Sequence, residues 1–299
     1  MQHSKQKIKL IDYTNNINRS GKGSLRFFKH FIEYIQTEEK KLDIVLCKKN
    51  EIKHSNKDIC VNIIAEDKVF PVLKSKNKEL NSFSTAIILA NKKKTNSLFL
   101  NKSIPLPNIC NWSNCNECLS FSEVGSQEDV YLLKKGDFLD KNRYNVDLID
   151  TSHEFKGSFY HTSIRILAVC GEIIDCWLRF RLANEPPIVH SKNTPLNSEL
   201  LNYYYPKLIE DNYNRLKKLT AKLYNALGPG FYAHDVLVDQ NNKFFICESG
   251  FKFDDQTYRK HLQCIDKSLI FGKYICNQKN LAGKSASLFL DALTELEWV

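Results

Sequence analysis

The sequence predicts a protein of α/β (α+β) class, with a small N-terminal α/β lobe and a larger C-terminal part. Its 299 residues are enough for two or three compact lobes rather than one small module. Near the N-terminus, short apolar runs alternate with an amphipathic helical pattern, which is typical of an α/β lobe. In the second half, strand-like runs are paired across turn residues, which indicates antiparallel hairpins.

Residues 1–85 are predicted to form the N-terminal lobe. Apolar residues from Leu25 to Ile35 recur every three or four positions and predict a helix. The loop at residues 20–24 precedes this helix, where free backbone amides favour an anion, but its glycine spacing is not that of a phosphate-binding loop. A flexible loop is the alternative. The predicted strands of this lobe are residues 8–11, 42–47, 60–64 and 69–73.

Residues 86–299 carry the clearest hairpin patterns. One hairpin turns at Cys170-Gly171 and another at residues 239–242. Between them, residues 198–227 show a long amphipathic helical pattern that ends at Gly228. The predicted strands are residues 130–134, 162–169, 172–180, 231–238 and 243–248, and the tail after Tyr258 has a helical pattern.

The charge distribution is explained mostly by a solvated surface and is compatible with an anionic substrate such as a nucleotide. The net charge of +9 comes from lysines spread along the chain, without the basic stripe interleaved with aromatic residues that nucleic-acid binding would predict. No stretch approaches the roughly 20 apolar residues of a membrane span, and the first residues are too polar for a signal peptide. We therefore expect a cytoplasmic protein with no membrane and no nucleic-acid partner.

The ten cysteines are scattered and, without a secretory signal, are expected to be reduced. Only Cys110, Cys115 and Cys118 form a cluster. Their spacing would supply three ligands to zinc or to an iron–sulfur cluster if a fourth ligand came from elsewhere. Unliganded loop thiols are the alternative.

Two carboxylates, Asp235 and Glu248, are the best candidates for a metal site. They lie on the two arms of the last predicted hairpin, where antiparallel pairing can bring them side by side. Carboxylate oxygens are the ligands that Mg²⁺ prefers, and Mg²⁺ usually completes its coordination with water and nucleotide phosphates. The alternative is a pair of strand-end residues engaged in salt bridges.

The order of elements around these carboxylates resembles the metal-binding end of the ATP-grasp superfamily, in its glutathione synthetase-like carboxylate–amine ligases. In that family an acidic residue on one strand and a Glu-x-Asn on the next hold magnesium ions. Asp235 and Glu248 match the two acidic positions, whereas Gly250 stands where the Asn is expected. The resemblance therefore implies a magnesium site at Asp235 and Glu248.

Two further segments extend the resemblance, which covers roughly residues 84–255. Residues 87–107 are similar to the start of an ATP-grasp domain, with a strand, Asn91-Lys92, a Thr that starts a helix, and an Ile-Pro-x-Pro exit. Residues 146–150 and the hairpin after them resemble the adenine hinge. By that resemblance, the backbone of Asp147, Leu148 and Ile149 would face the adenine and Asp150 would bond the ribose hydroxyls.

The resemblance also implies roles for four basic residues. Lys93 and Lys134 would bind nucleotide phosphates, and Arg165 and Arg179 would hold a substrate carboxylate or the transferring phosphate, a role suited to planar bidentate donors. A surface position for Lys134 and salt bridges across the sheet for the two arginines are the alternatives.

As a whole, the resemblance implies an N-terminal domain at residues 1–85 and an ATP-grasp domain at residues 86–299. Two α+β lobes of the latter would sandwich a nucleotide cleft, with the hinge near residues 146–150. The implied activity is ligation of a carboxylate to an amine or peptide through an acylphosphate, with ATP and Mg²⁺, and a homodimer is compatible with it.

One departure from the family's pattern supports a different function. The family's glycine-rich, phosphate-covering loop is expected between Lys134 and Asp147, where only one glycine, Gly136, is found. Together with Gly250, this leaves the alternative of a nucleotide-binding regulatory protein that kept the fold and lost turnover.

Overall fold

The computed structural model describes residues 6–12, 22–39, 41–48, 58–62, 78–124, 129–189, 194–195, 197–251 and 278–299. The predicted strand at residues 69–73, the start of the loop at residues 20–24 and the tail as far as residue 277 lie outside this part. None of the helices in the described ranges is long and apolar enough to cross a membrane.

The described elements alternate between helix and strand in the first third and are dominated by strands thereafter. In chain order they are β1 (Gln6–Asp12), α1 (Lys22–Glu38), β2 (Leu42–Lys48), β3 (Ile59–Asn62), β4 (Lys78–Leu80), α2 (Phe83–Leu89), α3 (Lys92–Asn101), β5 (Glu117–Ser122), β6 (Val130–Lys134), β7 (Arg143–Asp147), β8 (Ser152–Phe155), β9 (Ser158–Val169), β10 (Glu172–Leu182), α4 (Ser198–Tyr204), a π-helical segment (Tyr205–Glu210), α5 (Tyr213–Leu227), β11 (Phe231–Val238), β12 (Phe244–Gly250) and α6 (Gln278–Glu295).

The first sheet is parallel and has the strand order β2-β1-β3-β4. Ile8, Leu10 and Val61 of this sheet are fully buried, and α1 contributes Phe27 and Phe31 to the same core. The apolar runs of the sequence are buried because a parallel sheet is covered by helices. The mixed α/β character predicted for this lobe is confirmed.

The C-terminal helix α6 packs against α1. The rings of Phe31 and Phe289 meet edge to face with centroids 5.3 Å apart, and the hydroxyls of Tyr34 and Ser287 are 3.4 Å apart. Gly283 permits this approach, because a Cβ there would lie 3.2 Å from Tyr34 Cε2. The last helix of the chain therefore shares a core with the first lobe.

The second sheet is antiparallel, with the order β10-β9-β11-β12 and β8 paired to β9. Its β9–β10 hairpin turns at Cys170 and Gly171, which have φ angles of 47° and 89°. The β11–β12 hairpin turns after Asp239, whose amide donates to the Lys243 carbonyl at 3.0 Å. Both hairpins confirm the sequence prediction.

The third sheet has three antiparallel strands in the order β6-β5-β7. The strand predicted at residues 130–134 is β6. Its partner β5 was not predicted, because it lies in a segment that reads as polar and rich in cysteine. Cys118 and Ser120 are the residues of β5 that become buried.

Two predicted elements differ from the structure. The strand expected at the start of residues 87–107 is wrong, because this stretch is the end of helix α2, which is capped by a hydrogen bond from the Thr85 amide to Ser82 Oγ. The single long helix expected at residues 198–227 is interrupted by the π-helical segment, which contains Pro206, although it ends before Gly228 as predicted.

Candidate functional site

A cleft opens between the second and third sheets, and the linker of residues 105–110 joins these two sheets. The Pro105 carbonyl accepts from the Ile246 amide of β12 at 2.8 Å. A few residues later, the Asp147 amide of β7 donates to the Asn108 carbonyl at 2.9 Å. The linker therefore holds both sheets on the two sides of the cleft.

The cleft has an apolar wall and a charged floor. The space between its walls is about 900 Å³, its open mouth included. The apolar lining comes from Leu119, Phe121, Val146, Leu148, Ile149, Ile188 and Leu237. The charged lining comes from Lys92, Asp147, Arg179, Asp235 and Glu248.

Asp235 is bound by two arginines on neighbouring strands. Arg165 lies directly opposite it on β9, and its Nη1 is 3.0 and 3.1 Å from the two carboxylate oxygens. Arg179 of β10 places Nη2 3.0 Å from Oδ1 and Nη1 3.1 Å from Oδ2. Each oxygen thus accepts from both guanidinium groups, which fills the acceptor positions of the carboxylate.

A β-bulge sets the position of Glu248. Asp235 pairs with Glu248, but the next residue, Val236, pairs with Ile246, so Cys247 is the extra residue of β12. As a result, the consecutive residues Cys247 and Glu248 both line the cleft and are exposed to it. In a regular strand their side chains would point to opposite faces. The sequence contains no signal that predicts this bulge.

The two carboxylates have different electrostatic environments. Burial alone would raise the pKa of Asp235, but Arg165 and Arg179 outweigh it and hold the pKa below its usual value. Although Glu248 is accessible from the cleft, desolvation by the surrounding walls and the neighbouring charge of Asp235 raise its pKa, and the positive charge of Lys92 opposes this rise. Asp235 is therefore firmly anionic, whereas Glu248 carries the less stable negative charge of the pair.

His234 lies on the opposite face of β11 and does not reach the cleft. Its Nδ1 is 2.8 Å from Ser249 Oγ, and the residue is buried. Burial lowers the pKa of this imidazole to about 3. It is neutral at physiological pH and forms part of the support behind Asp235.

Among the described residues, the lysine that lines the cleft is Lys92. It is the first residue of α3, directly after the N-cap Asn91, and its charge acts on both Cys247 and Glu248. The predicted Lys93 points elsewhere: it forms a salt bridge with Glu123 and donates to the Lys141 carbonyl at 2.7 Å. Helix geometry separates the two, because consecutive residues point about 100° apart.

The predicted Lys134 does not line the cleft either. It is exposed at the end of β6, where it pairs in register with Glu117. The structure thus brings seven of the predicted site residues together: Arg165, Arg179, Asp235 and Glu248 at the floor, and Asp147, Leu148 and Ile149 at the hinge. The sequence prediction missed Lys92. The available signal was Asn91, whose capping of helix α3 makes Lys92 the first helical residue.

The predicted hinge lines the apolar end of the cleft. The amides of Asp147 and Leu148 donate to the Asn108 and Glu117 carbonyls at 2.9 and 3.1 Å, so they are engaged within the protein. Asp150 lies at the outer mouth, where its Oδ1 accepts from Ser152 and its Oδ2 accepts from Gln240 at 2.8 Å. A ribose hydroxyl would compete with these contacts.

The donor set of the floor fits Mg²⁺ at one carboxylate. Glu248 faces the cleft and accepts no hydrogen bond from the described residues, so its oxygens are available to a cation. Asp235 fits less well, because the two arginines occupy its oxygens and one guanidinium would have to move.

The comparisons with solved structures support the ATP-grasp fold. No protein-family profile and no curated protein matches the sequence. Among solved structures, the chain is similar to a RimK domain ATP-grasp protein from Sphaerobacter thermophilus, at 13% identity, TM-score 0.51 and coverage of 95% of this chain and 99% of that one.

Two other solved structures carry ligands. The D-alanine–D-alanine ligase from Bacillus anthracis, complexed with ATP, matches at 12% identity, TM-score 0.53 and 98% coverage of both chains. A Chryseobacterium gregarium RiPP-associated ATP-grasp ligase, in complex with ADP and a leader and core peptide, matches at 10% identity, TM-score 0.53 and coverage of 96% of this chain and 97% of that one. The chain described here has the ATP-grasp fold.

Proposed function

We propose that the protein is an ATP-dependent ligase that joins a carboxylate to an amine, with Mg²⁺ as the metal. The observation that carries this proposal is the polarity of the cleft. An apolar slot beside the hinge suits a nucleobase, and the charged floor formed by Lys92, Arg179, Asp235 and Glu248 suits phosphates and a metal ion.

The floor stabilises negative charge where phosphoryl transfer needs it. Arg165 and Arg179 both donate to Asp235, so two guanidinium groups face one carboxylate in this floor. Lys92 places a further positive charge beside Glu248. Because hydrogen bonds to Asp235 fix the two guanidinium groups before a substrate arrives, these groups require little reorganisation during the reaction.

Glu248 is the residue that would hold Mg²⁺, with Asp235 as a second ligand if a guanidinium moved away. Bound there, the metal would neutralise phosphate oxygens of the nucleotide. The side chains around it would perform the rest: Lys92 would bind phosphate, and Arg179 would orient the attacking carboxylate in the cleft.

The chemistry proposed is acyl activation followed by aminolysis. A substrate carboxylate oxygen attacks the γ-phosphorus, the bond to the β-phosphate oxygen breaks, and an acylphosphate and ADP result. The amine then attacks the acyl carbon, and inorganic phosphate leaves with its electron pair. A small molecule or a peptide could supply either group, and the similar RiPP-associated ATP-grasp ligase is in complex with a leader and core peptide.

A second function, nucleotide binding without turnover, is favoured by two specific observations. The oxygens of Asp235 are already occupied by two arginines, and Gly250 offers no side-chain ligand next to Glu248. Both features reduce the number of metal ligands in the floor. A regulatory protein would need the nucleotide site but not this second metal position.

Trapping with hydroxylamine separates the two functions. The protein is incubated with Mg-ATP, hydroxylamine and a panel of carboxylic acids and acidic peptides, and both ADP and hydroxamate are measured. A ligase produces the two in equal amounts, and Lys92→Met loses both. Nucleotide binding with no ADP for any carboxylate favours the regulatory function.

The Gly250→Asn variant refines this test. A Cβ at Gly250 meets no atom of the described residues within 4 Å, so the first atom of the new side chain causes no clash with them. Recovery of ADP formation in this variant alone would identify a site that has lost one metal ligand.

A further inference from the structure

Three thiols and one carboxylate meet at the hinge end of the third sheet. Cys110 lies at the end of the linker, Cys115 follows a turn, Cys118 is on β5 and Asp147 ends β7. The ligand atoms of Cys110, Cys115 and Asp147 all lie within 4.8 Å of one another. The thiol of Cys118 contacts that of Cys110.

The backbone holds these side chains toward one point. Cys118 and Asp147 are directly opposite each other on adjacent strands, so their side chains share a face of the sheet. The Cys110 amide donates to the Asn145 carbonyl at 3.1 Å. Cys115 closes its turn by donating to the Asn111 carbonyl at 3.2 Å. Three separate segments thus contribute to one cluster.

The carboxylate has an oxygen without a donor. Asp147 Oδ2 accepts from Asn108 Nδ2 at 3.3 Å, but Oδ1 is buried and accepts no hydrogen bond from the described residues. Such buried acceptors are rare in native proteins, because an unmade hydrogen bond costs free energy. A cation beside Oδ1 would remove this cost.

We propose that Cys110, Cys115, Cys118 and Asp147 bind one Zn²⁺ ion in tetrahedral coordination. This inference goes beyond the ligase function and does not depend on it. Three thiolates and one carboxylate oxygen are within the ligand types that zinc takes in proteins. The sequence supplies the three cysteines, and the structure adds the fourth ligand from a distant part of the chain.

Two alternatives are less consistent with the geometry. The ligands of an iron–sulfur cluster bind different iron atoms, so they lie further apart than the ligand atoms of Cys110, Cys115 and Asp147, which are all within 4.8 Å of one another. The second alternative is a set of unliganded thiols. In the metal-free protein these thiols stay protonated, since burial raises the pKa of Cys110 to about 11 and also raises the pKa of Cys115. A bound cation reverses this preference by stabilising the thiolates.

Zinc binding requires one small adjustment. The sulfurs of Cys110 and Cys115 are 2.9 Å apart. In a tetrahedral site with zinc–sulfur bonds of about 2.3 Å they would lie about 3.8 Å apart. Cys115 is on a partly exposed turn, which can move outward to meet this distance.

A zinc ion at this position would connect the linker, β5 and the hinge. Asp147 lines the nucleotide cleft as well, so the metal would fix one edge of it. Loss of zinc is then expected to lower the thermal stability of the protein and to loosen the apolar end of the cleft.

The test uses the full chain, purified with a reductant and without chelators. Zinc is measured by elemental analysis and by competition with a chromogenic chelator, for the wild type, Cys115→Ser and Cys118→Ser. Cys170→Ser is the matched control, because Cys170 is also a partly exposed free thiol but lies in another hairpin. Cobalt titration of the same proteins reports thiolate ligands through charge-transfer absorption.

The proposal predicts one zinc per chain in the wild type and the control, with at least about tenfold weaker zinc binding in Cys115→Ser. It also predicts a cobalt–thiolate band that is weaker in Cys115→Ser. Cys115→Ser decides the result if the buried Cys118→Ser fails to fold. Absence of zinc and of the cobalt band in the wild type would overturn the proposal, and so would a Cys110–Cys115 disulfide that persists under reductant.

Discussion

Arg179 binds Asp235 through two parallel hydrogen bonds, with Nη2 3.0 Å from Oδ1 and Nη1 3.1 Å from Oδ2. Arg165 binds the same carboxylate from the adjacent strand. Asp235 is therefore the anion that allows two guanidinium groups to be buried in one sheet. This structural role and a metal-binding role compete for the same oxygens. The stability of Asp235 variants therefore measures how much the ion pairs contribute to the fold.

Replacing Asp235 is expected to cost much of the protein's stability. Asp235→Asn removes the charge of the carboxylate shared by the buried Arg179 and the partly buried Arg165, and breaking a buried ion pair in this way costs roughly 3–5 kcal/mol. Urea unfolding measures the loss. Asp43→Asn is the control, because Asp43 forms an exposed ion pair with Lys7 at 4.0 Å, and such pairs contribute about 0–1 kcal/mol. Equal losses in the two variants would contradict this account.

The same ion pairs predict a dependence on acid. The pKa of Asp235 is lowered in the folded protein from its unfolded value of 3.8. Its contribution is therefore fully present above pH 3.8 and is lost as the pH falls through the folded pKa. Unfolding free energies of wild type and Asp235→Asn, measured from pH 6 downward, should converge at the acid end. A difference in unfolding free energy that stays constant with pH would exclude the ionised Asp235 carboxylate as its origin.

Glu248→Gln is expected to stabilise the protein at neutral pH and to abolish its response to magnesium. The folded pKa of Glu248 is raised above its unfolded value of 4.5, so its contribution is present below pH 4.5 and is lost as the pH rises through the folded pKa. Removing the charge should raise the melting temperature at pH 7 by roughly 1–2 °C. Thermal melts at pH 7 and pH 4, with and without Mg²⁺ and ADP, check both effects; a lower melting temperature at pH 7 would refute the first.

Gly230→Ala is expected to disrupt the contact between the first lobe and β11. A Cβ at Gly230 would lie 2.0 Å from Asn81 Oδ1 and 2.8 Å from the Asn81 amide nitrogen. Asn81 itself bonds both the amide and the carbonyl of Phe231, so it has little freedom to move. A loss on the order of 3 kcal/mol is expected in urea unfolding. Gly250→Ala, with open space around the Cβ, should change stability little.

The elements that could be predicted from sequence are those whose pattern is local. The β9–β10 and β11–β12 hairpins have continuous apolar runs on both sides of clear turn residues, and both form as expected. Helix α2 was mistaken for a strand because its seven residues are too few to show a helical period. Strand β5 was missed because its segment is polar and rich in cysteine, and its buried residues, Cys118 and Ser120, do not form an apolar pattern.

The site was predictable to the extent that its residues lie on those hairpins. Arg165, Asp235 and Glu248 come together because antiparallel pairing fixes their register. Lys92 and Lys93 are adjacent in sequence, and only the direction of the helix decides which one lines the cleft. The bulge at Cys247 and the approach of Asp147 to the cysteine cluster depend on tertiary structure alone.

The most direct test is calorimetric titration with a non-hydrolysable ATP analogue, with and without Mg²⁺, of the wild type and of Lys92→Met, Lys93→Met and Lys134→Met. We predict magnesium-dependent binding that is at least about tenfold weaker in Lys92→Met, since a charge-assisted hydrogen bond contributes about 1.5–3 kcal/mol. Lys93→Met and Lys134→Met should bind like the wild type. Absence of binding to the wild type, or equal binding by all four proteins, would contradict the assignment of this cleft as a nucleotide site.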